Sequence, residues 1–193
     1  MRYYKWYNTN ECYLKSGDDI MYNSKLKTCC FFGHRKIAVS DELTSYIKDI
    51  TEKLIKDKNI DTFLFGSKSQ FDDLCYEIVS ELKLKYPHIK RIYVRAEFPQ
   101  IDDNYRRYLL ERFEDTYFPE KIVGAGKSVY VERNFEMINS SSFCICYYDE
   151  NYLPPKRKQS KKALIAYQPA SGTKLAYDYA IKRTLTIYNA FDI

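Results

Sequence analysis

Thr28-Cys29-Cys30-Phe31-Phe32-Gly33-His34-Arg35 is the stretch that decides the fold. Its first five residues form a short run with no polar alternation, and a glycine closes it. Such a run suits a strand buried on both faces of a parallel sheet. Similar runs recur at Thr62-Phe63-Leu64-Phe65-Gly66, Arg91-Ile92-Tyr93-Val94, Phe143-Cys144-Ile145-Cys146-Tyr147 and Leu185-Thr186-Ile187-Tyr188. Helical stripes separate them: Leu43, Ile47, Ile50 and Leu54; Phe71, Leu74, Ile78 and Leu82; Val131, Phe135 and Ile138; and a last helix from Gly172 to Arg183. Ser40-Asp41-Glu42 supplies a cap and first-turn acid, and Pro87 stops the second helix.

Strands that alternate with helices require parallel pairing through right-handed crossovers. The expected fold is α/β, a Rossmann-like three-layer sandwich on a five-stranded or slightly larger parallel sheet. Its strands are expected at 28–32, 62–65, 91–95, 142–147 and 185–189, in spatial order 3-2-1-4-5. Residues 1–26 lack a clean period and contain the turn signal Ser16-Gly17-Asp18-Asp19, so they read as an appendage to a domain spanning 27–193. Between 102 and 120 the pattern is less regular, with a helix over Tyr105 to Phe113 and an extended piece from Asp115 to Pro119.

The chain has 193 residues, 45% hydrophobic and 30% charged, which fits one globular domain and excludes a disordered or collagenous chain. No run reaches the roughly 18 apolar residues that a membrane span needs, and the N-terminus carries no apolar signal segment. A cytoplasmic location is therefore expected. Thirty-one basic against 26 acidic residues leave a net charge of +5, too small to imply a nucleic-acid protein by itself. The six cysteines, at 12, 29, 30, 75, 144 and 146, form no Cys-x-x-Cys pair, and only two histidines accompany them. A zinc site is poorly supported, and reduced cysteines in apolar runs are the expectation.

Ligands of open parallel sheets bind beyond the carboxyl ends of the strands. Those ends lead into Gly33-His34-Arg35, Gly66-Ser67-Lys68, Arg95-Ala96-Glu97 and Tyr148-Asp149-Glu150, and Ser171-Gly172-Thr173-Lys174 opens the last helix. Glycines admit close approach, and a helix N-terminus carries partial positive charge, so a phosphate is the natural guest. Gly124-Ala125-Gly126-Lys127-Ser128 resembles the end of a phosphate-binding Walker loop, but Lys121 stands where its first glycine belongs. It reads as a glycine turn with Ser128 capping the next helix.

Phe32-Gly33-His34-Arg35, Phe65-Gly66-Ser67, Tyr130-Val131-Glu132-Arg133-Asn134 with Met137, and Ser171-Gly172-Thr173 with Tyr177 and Ala180 together resemble the SLOG superfamily. That superfamily unites DprA-like and LOG-type Rossmannoid proteins, and the Gly-His-Arg start is similar to its bacterial "SLOG family protein" branch. The resemblance covers about 27–190. It implies a bacterial or phage module that binds a nucleotide, or an NAD- or ADP-ribose-like derivative, as a sensor or sequestering protein. LOG enzymes cleave cytokinin ribotides using an arginine, matched here by Arg133, and a glutamate three residues after the threonine. Ala176 occupies that last position, which puts hydrolysis in doubt; Glu97 and Asp178 are the available carboxylates.

His34 is read as a phosphate contact or as a turn histidine bound to backbone, and Arg35 as a phosphate clamp. Arg133, at a helix start, needs an acidic partner or a ligand. Ser171, Gly172 and Thr173 form the expected anion site, with Gly33, Gly66, Ser67, Lys68, Arg95, Glu97, Tyr148 and Lys174 around it. The basic run Pro154 to Lys162 has no interleaved aromatics for base stacking, so a solvated flap is expected and nucleic acid is not. No cofactor is required on this reading. A nucleotide-like small molecule is the expected partner, with a homodimer as a further possibility. A nucleotide N-glycosidase and a single-stranded nucleic-acid binder stand as alternatives.

Overall fold

Alternate residues of β1 (Thr28–Gly33) point to opposite sides of the sheet, and this divides the core in two. Cys29 and Phe31 join one cluster, while Cys30 and Phe32 join the other. The computed structural model describes residues 24–66, 68–154 and 170–193. The first cluster is covered by α1 (Asp41–Lys58) and α2 (Gln70–Lys85), whose stripes supply Leu43, Ile47, Leu54, Phe71, Leu74, Ile78 and Leu82. α4 (Val129–Asn139) and α5 (Gly172–Lys182) cover the second with Met137, Ile138, Ala176 and Ala180. Three layers result.

All strand pairs are parallel, in the order β4-β3-β2-β1-β5-β6. The remaining strands are β2 (Thr62–Phe65), β3 (Lys90–Val94), β4 (Asp115–Tyr117), β5 (Phe143–Tyr147) and β6 (Thr186–Asn189). The sheet thus has six strands rather than five, and its order differs from expectation by the strand added outside β3. α3 (Asp103–Leu110) leads into that strand. Three residues are too few to show an alternation, so Asp115–Tyr117 reads in sequence only as extended. Glu114 fixes the strand in space: its carboxylate accepts from the Arg91 amide at 2.6 Å and from Nη2 and Nε along one edge of the Arg91 guanidinium at 2.7 and 3.2 Å.

Capping defines the helix starts. Ser40, Ser69, Asp102 and Ser171 each accept an amide hydrogen from the first turn. Ser128 does not cap α4 in this way; its hydroxyl donates to the Ala125 carbonyl at 2.8 Å instead. The Gly124–Ser128 stretch is a turn with left-handed glycines running into a 3-10 helix, and no strand feeds it.

Cys29, Cys30, Cys75, Cys144 and Cys146 are buried and free, and burial pushes their thiols up, Cys30 to about 12. Cys12, most of the expected appendage and the basic run from 156 to 162 lie outside the described residues. Among the described residues, no helix is long and apolar enough to cross a membrane.

Candidate functional site

β1 sends its crossovers toward β2 on one side, whereas β5 lies on its other side, so a crevice opens between their carboxyl ends. A cavity of about 480 Å3 lies there. Gly33, His34, Arg35, Gly66, Lys68, Glu97, Arg133, Ser171, Gly172 and Thr173 line it, which brings together residues from five separate segments. Ser67 lies outside the described residues. The lining also includes Ser69, Ala96 and Ala170 from the same loops, together with Tyr93, Tyr130, Asn134, Tyr152 and Pro154, which the strand-end reasoning passed over.

Three expected site residues turn elsewhere. The Arg95 guanidinium donates to the carbonyls of Phe98 and Pro99 at 2.7 and 3.2 Å. Tyr148 is buried and stacks on Tyr177 with ring centroids 4.5 Å apart. Lys174 pairs with Asp178 at 3.4 Å, one helical turn away, and reaches the Tyr148 hydroxyl at 3.5 Å. Nearer partners capture each of these side chains.

Packing by itself requires glycine at the two strand ends. A Cβ at Gly33 would stand 2.5 Å from the Phe71 ring, and one at Gly66 would stand 2.5 Å from the Arg133 guanidinium. Gly172 is different, because a Cβ there meets no atom within 4 Å.

Arg133 is 2% exposed and donates to the carbonyls of Gly66 and Val94 and to the Asn134 side chain. Burial lowers its proton affinity, whereas Asp72, Tyr93, Tyr130 and Glu97 favour its charge. A guanidinium remains charged under such conditions. Its positive end therefore forms part of the cavity floor. Asp72 is itself buried: Ser69 donates to it at 2.9 Å, and its carboxylate lies 3.5 Å from the Gly66 amide. The chain thus places its own anion at the start of α2. The first turn of α5 carries no acid.

His34 lines the cavity and is bonded to backbone on both sides. Its Nε2 accepts from the Asp149 amide at 3.0 Å, and its own amide donates to the Tyr147 carbonyl. An accepting Nε2 means that Nδ1 bears the proton, and burial lowers the pKa, the first of its causes. Tyr152 packs its ring 4.1 Å from the imidazole. Asn189 braces the same region from β6, accepting from the Tyr148 amide at 3.0 Å and donating to its carbonyl at 2.9 Å.

Glu97 is the only carboxylate among the described residues lining the cavity. Tyr130 donates to it at 2.7 Å, and Lys68 lies 3.9 Å away. Ala176 is fully buried in the core beneath α5, so the position of the LOG-type glutamate faces the sheet rather than the cavity. Asp178 stays with Lys174 on the outer side of that helix. Arg35, Lys68 and Arg133 against Glu97 leave the lining net positive, and Tyr93, Tyr130 and Tyr152 add aromatic surface.

No protein-family model and no curated protein matches the chain. Among solved structures it is similar to DNA processing protein A from Helicobacter pylori, described for its single-stranded DNA binding mode. The two share 15% identity with a TM-score of 0.49, over 89% of this chain and 67% of the other. The expectation that nucleic acid is not a partner is corrected by this finding. The basic run itself lies outside the described residues. Aromatics were sought within the basic run, whereas the fold gathers Tyr93, Tyr130 and Tyr152 from three distant segments.

Proposed function

We propose that the cleft binds a nucleotide unit, with its phosphate at the start of α5 and its base against the tyrosines. The observation that carries this reading is the meeting, in one cavity, of an acid-free helix N-terminus with three cations and three tyrosine rings. Amides of a helix start favour an anion, and an aromatic face accepts any base by stacking. A cavity of about 480 Å3 lies within the usual range for small-molecule sites of roughly 300–1,000 Å3. The role is binding rather than cleavage of the glycosidic bond. Glu97 is held by Tyr130 and Lys68, and Ala176 supplies no carboxylate to the cavity.

One chemistry here has two sources, a free nucleotide or a nucleotide within a single strand. Calorimetric titration with adenosine monophosphate and with a 5′-phosphorylated deoxyadenylate decamer, each at low and high salt, separates them. A free-nucleotide site binds the monophosphate with shallow salt dependence. A strand-binding site favours the decamer and loses affinity steeply as salt rises. Binding of neither ligand by folded protein overturns the proposal, as does release of free adenine over many turnovers.

A further inference from the structure

Beside the cleft, α2, α3 and the ends of β2 and β3 enclose a second, smaller cavity of about 130 Å3. It is lined chiefly by aromatic rings, among them Tyr76, Tyr105 and Tyr108. Tyr105 and Tyr108 lie nearly parallel on α3, with an interplanar angle of 15° and centroids 6.2 Å apart. Tyr108 is 54% exposed, so the rings border solvent rather than the core. Two residues, Lys68 and Tyr93, line both cavities, which makes the small one a continuation of the large one.

We infer that this slot holds a second nucleobase, so that the protein's ligand is a dinucleotide unit with one base in each cavity. The inference rests on the nucleotide reading of the main cleft and narrows it. Polar groups at the slot argue for a heteroaromatic ring over a purely apolar one. Asp73 lines the slot beside Arg112, and a carboxylate accepts hydrogen bonds, which favours a base bearing an exocyclic amine. Lys68 is the one cation lining both cavities, and its ion pair with Glu97 is long, 3.9 Å, and exposed. An ammonium in that position can turn to the phosphate that links the two nucleosides. Volume also limits the occupant. The slot takes one flat ring system, while a complete second nucleotide leaves its sugar and phosphate outside.

The test is calorimetric titration of the full chain, at one fixed salt concentration, with adenosine monophosphate and with 5′-phosphorylated diadenylate. Stacking one more base makes the dinucleotide bind about tenfold more tightly, on the order of what single stacked bases contribute. Tyr108→Ala removes an exposed ring without opening the core and brings the ratio of the two affinities toward one. A second measurement compares diadenylate with 5′-phosphorylated adenylyl-uridine: the wild type favours diadenylate, and Asp73→Ala erases that preference. Equal affinities for monophosphate and dinucleotide overturn the second site and leave the main cleft standing. A dinucleotide advantage that survives Tyr108→Ala and Asp73→Ala places the second base elsewhere and also overturns it. Failure of both ligands to bind overturns the nucleotide reading together with this inference.

Discussion

The Arg133 guanidinium donates to the carbonyl of Gly66 and fills the space in which a side chain at residue 66 would stand. These residues lie 67 positions apart, at the start of α4 and the end of β2. Glycine is required at 66 because the arginine passes within 2.5 Å of where its Cβ would be, and Arg133 is held by the carbonyls of Gly66 and Val94.

Gly66→Ala is therefore expected to push Arg133 from both carbonyls and to cost about 2 kcal/mol or more, the scale of charged hydrogen bonds broken in a buried place. The same change in an Arg133→Ala background meets no guanidinium and costs less. Urea unfolding of the four proteins in this cycle gives the coupling, expected at about 1 kcal/mol or above. Strict additivity would show that the two residues do not constrain each other.

Gly172→Val makes the opposite case. Nothing stands within 4 Å of the new Cβ and valine is a better helix former than glycine, so the variant folds with stability changed by less than about 1 kcal/mol. Its branched side chain occupies the mouth of the α5 N-terminus, and monophosphate and decamer binding should both fall at least about tenfold, read by the same titrations at equal salt. A folded variant with unchanged affinity would remove the anion position from α5.

His34 makes stability depend on pH. Its pKa is lowered in the fold from the usual 6.5 by burial, the first cause, so the unfolded chain binds the proton more tightly. The contribution is complete above pH 6.5 and declines as the pH falls below it toward the folded value. Wild-type urea midpoints measured from pH 7.5 to 5 should drop more than those of His34→Phe, which cannot titrate. Equal slopes would show that residue 34 bears no proton-linked load.

Ala176→Glu is expected to destabilise the fold without creating glycosidase activity. Ala176 is fully buried among Cys144, Cys146 and Met137, and a carboxylate there lacks a partner. The cost is about 3 kcal/mol or more, seen as a lower thermal midpoint. Multiple-turnover release of adenine by a stable variant would contradict the orientation of α5.

The sequence by itself determined the inner strands and the four principal helices, because runs buried on both faces and stripes of period 3.6 are local patterns that packing does not rewrite. It also determined which loops collect at the carboxyl edge, since parallel strands leave no other arrangement. β4 depended on tertiary structure: a three-residue edge strand holds its place through Arg91 and Glu114, 23 positions apart. Side-chain direction was decided at the same level. Arg95 and Lys174 carry charge beside the cleft in sequence but find carbonyls and Asp178 closer at hand, whereas Tyr93, Tyr130 and Tyr152 reach it from segments whose spacing announces nothing. Long side chains go to the partner with the best geometry, and partners distant along the chain become neighbours only when the sheet closes the distance.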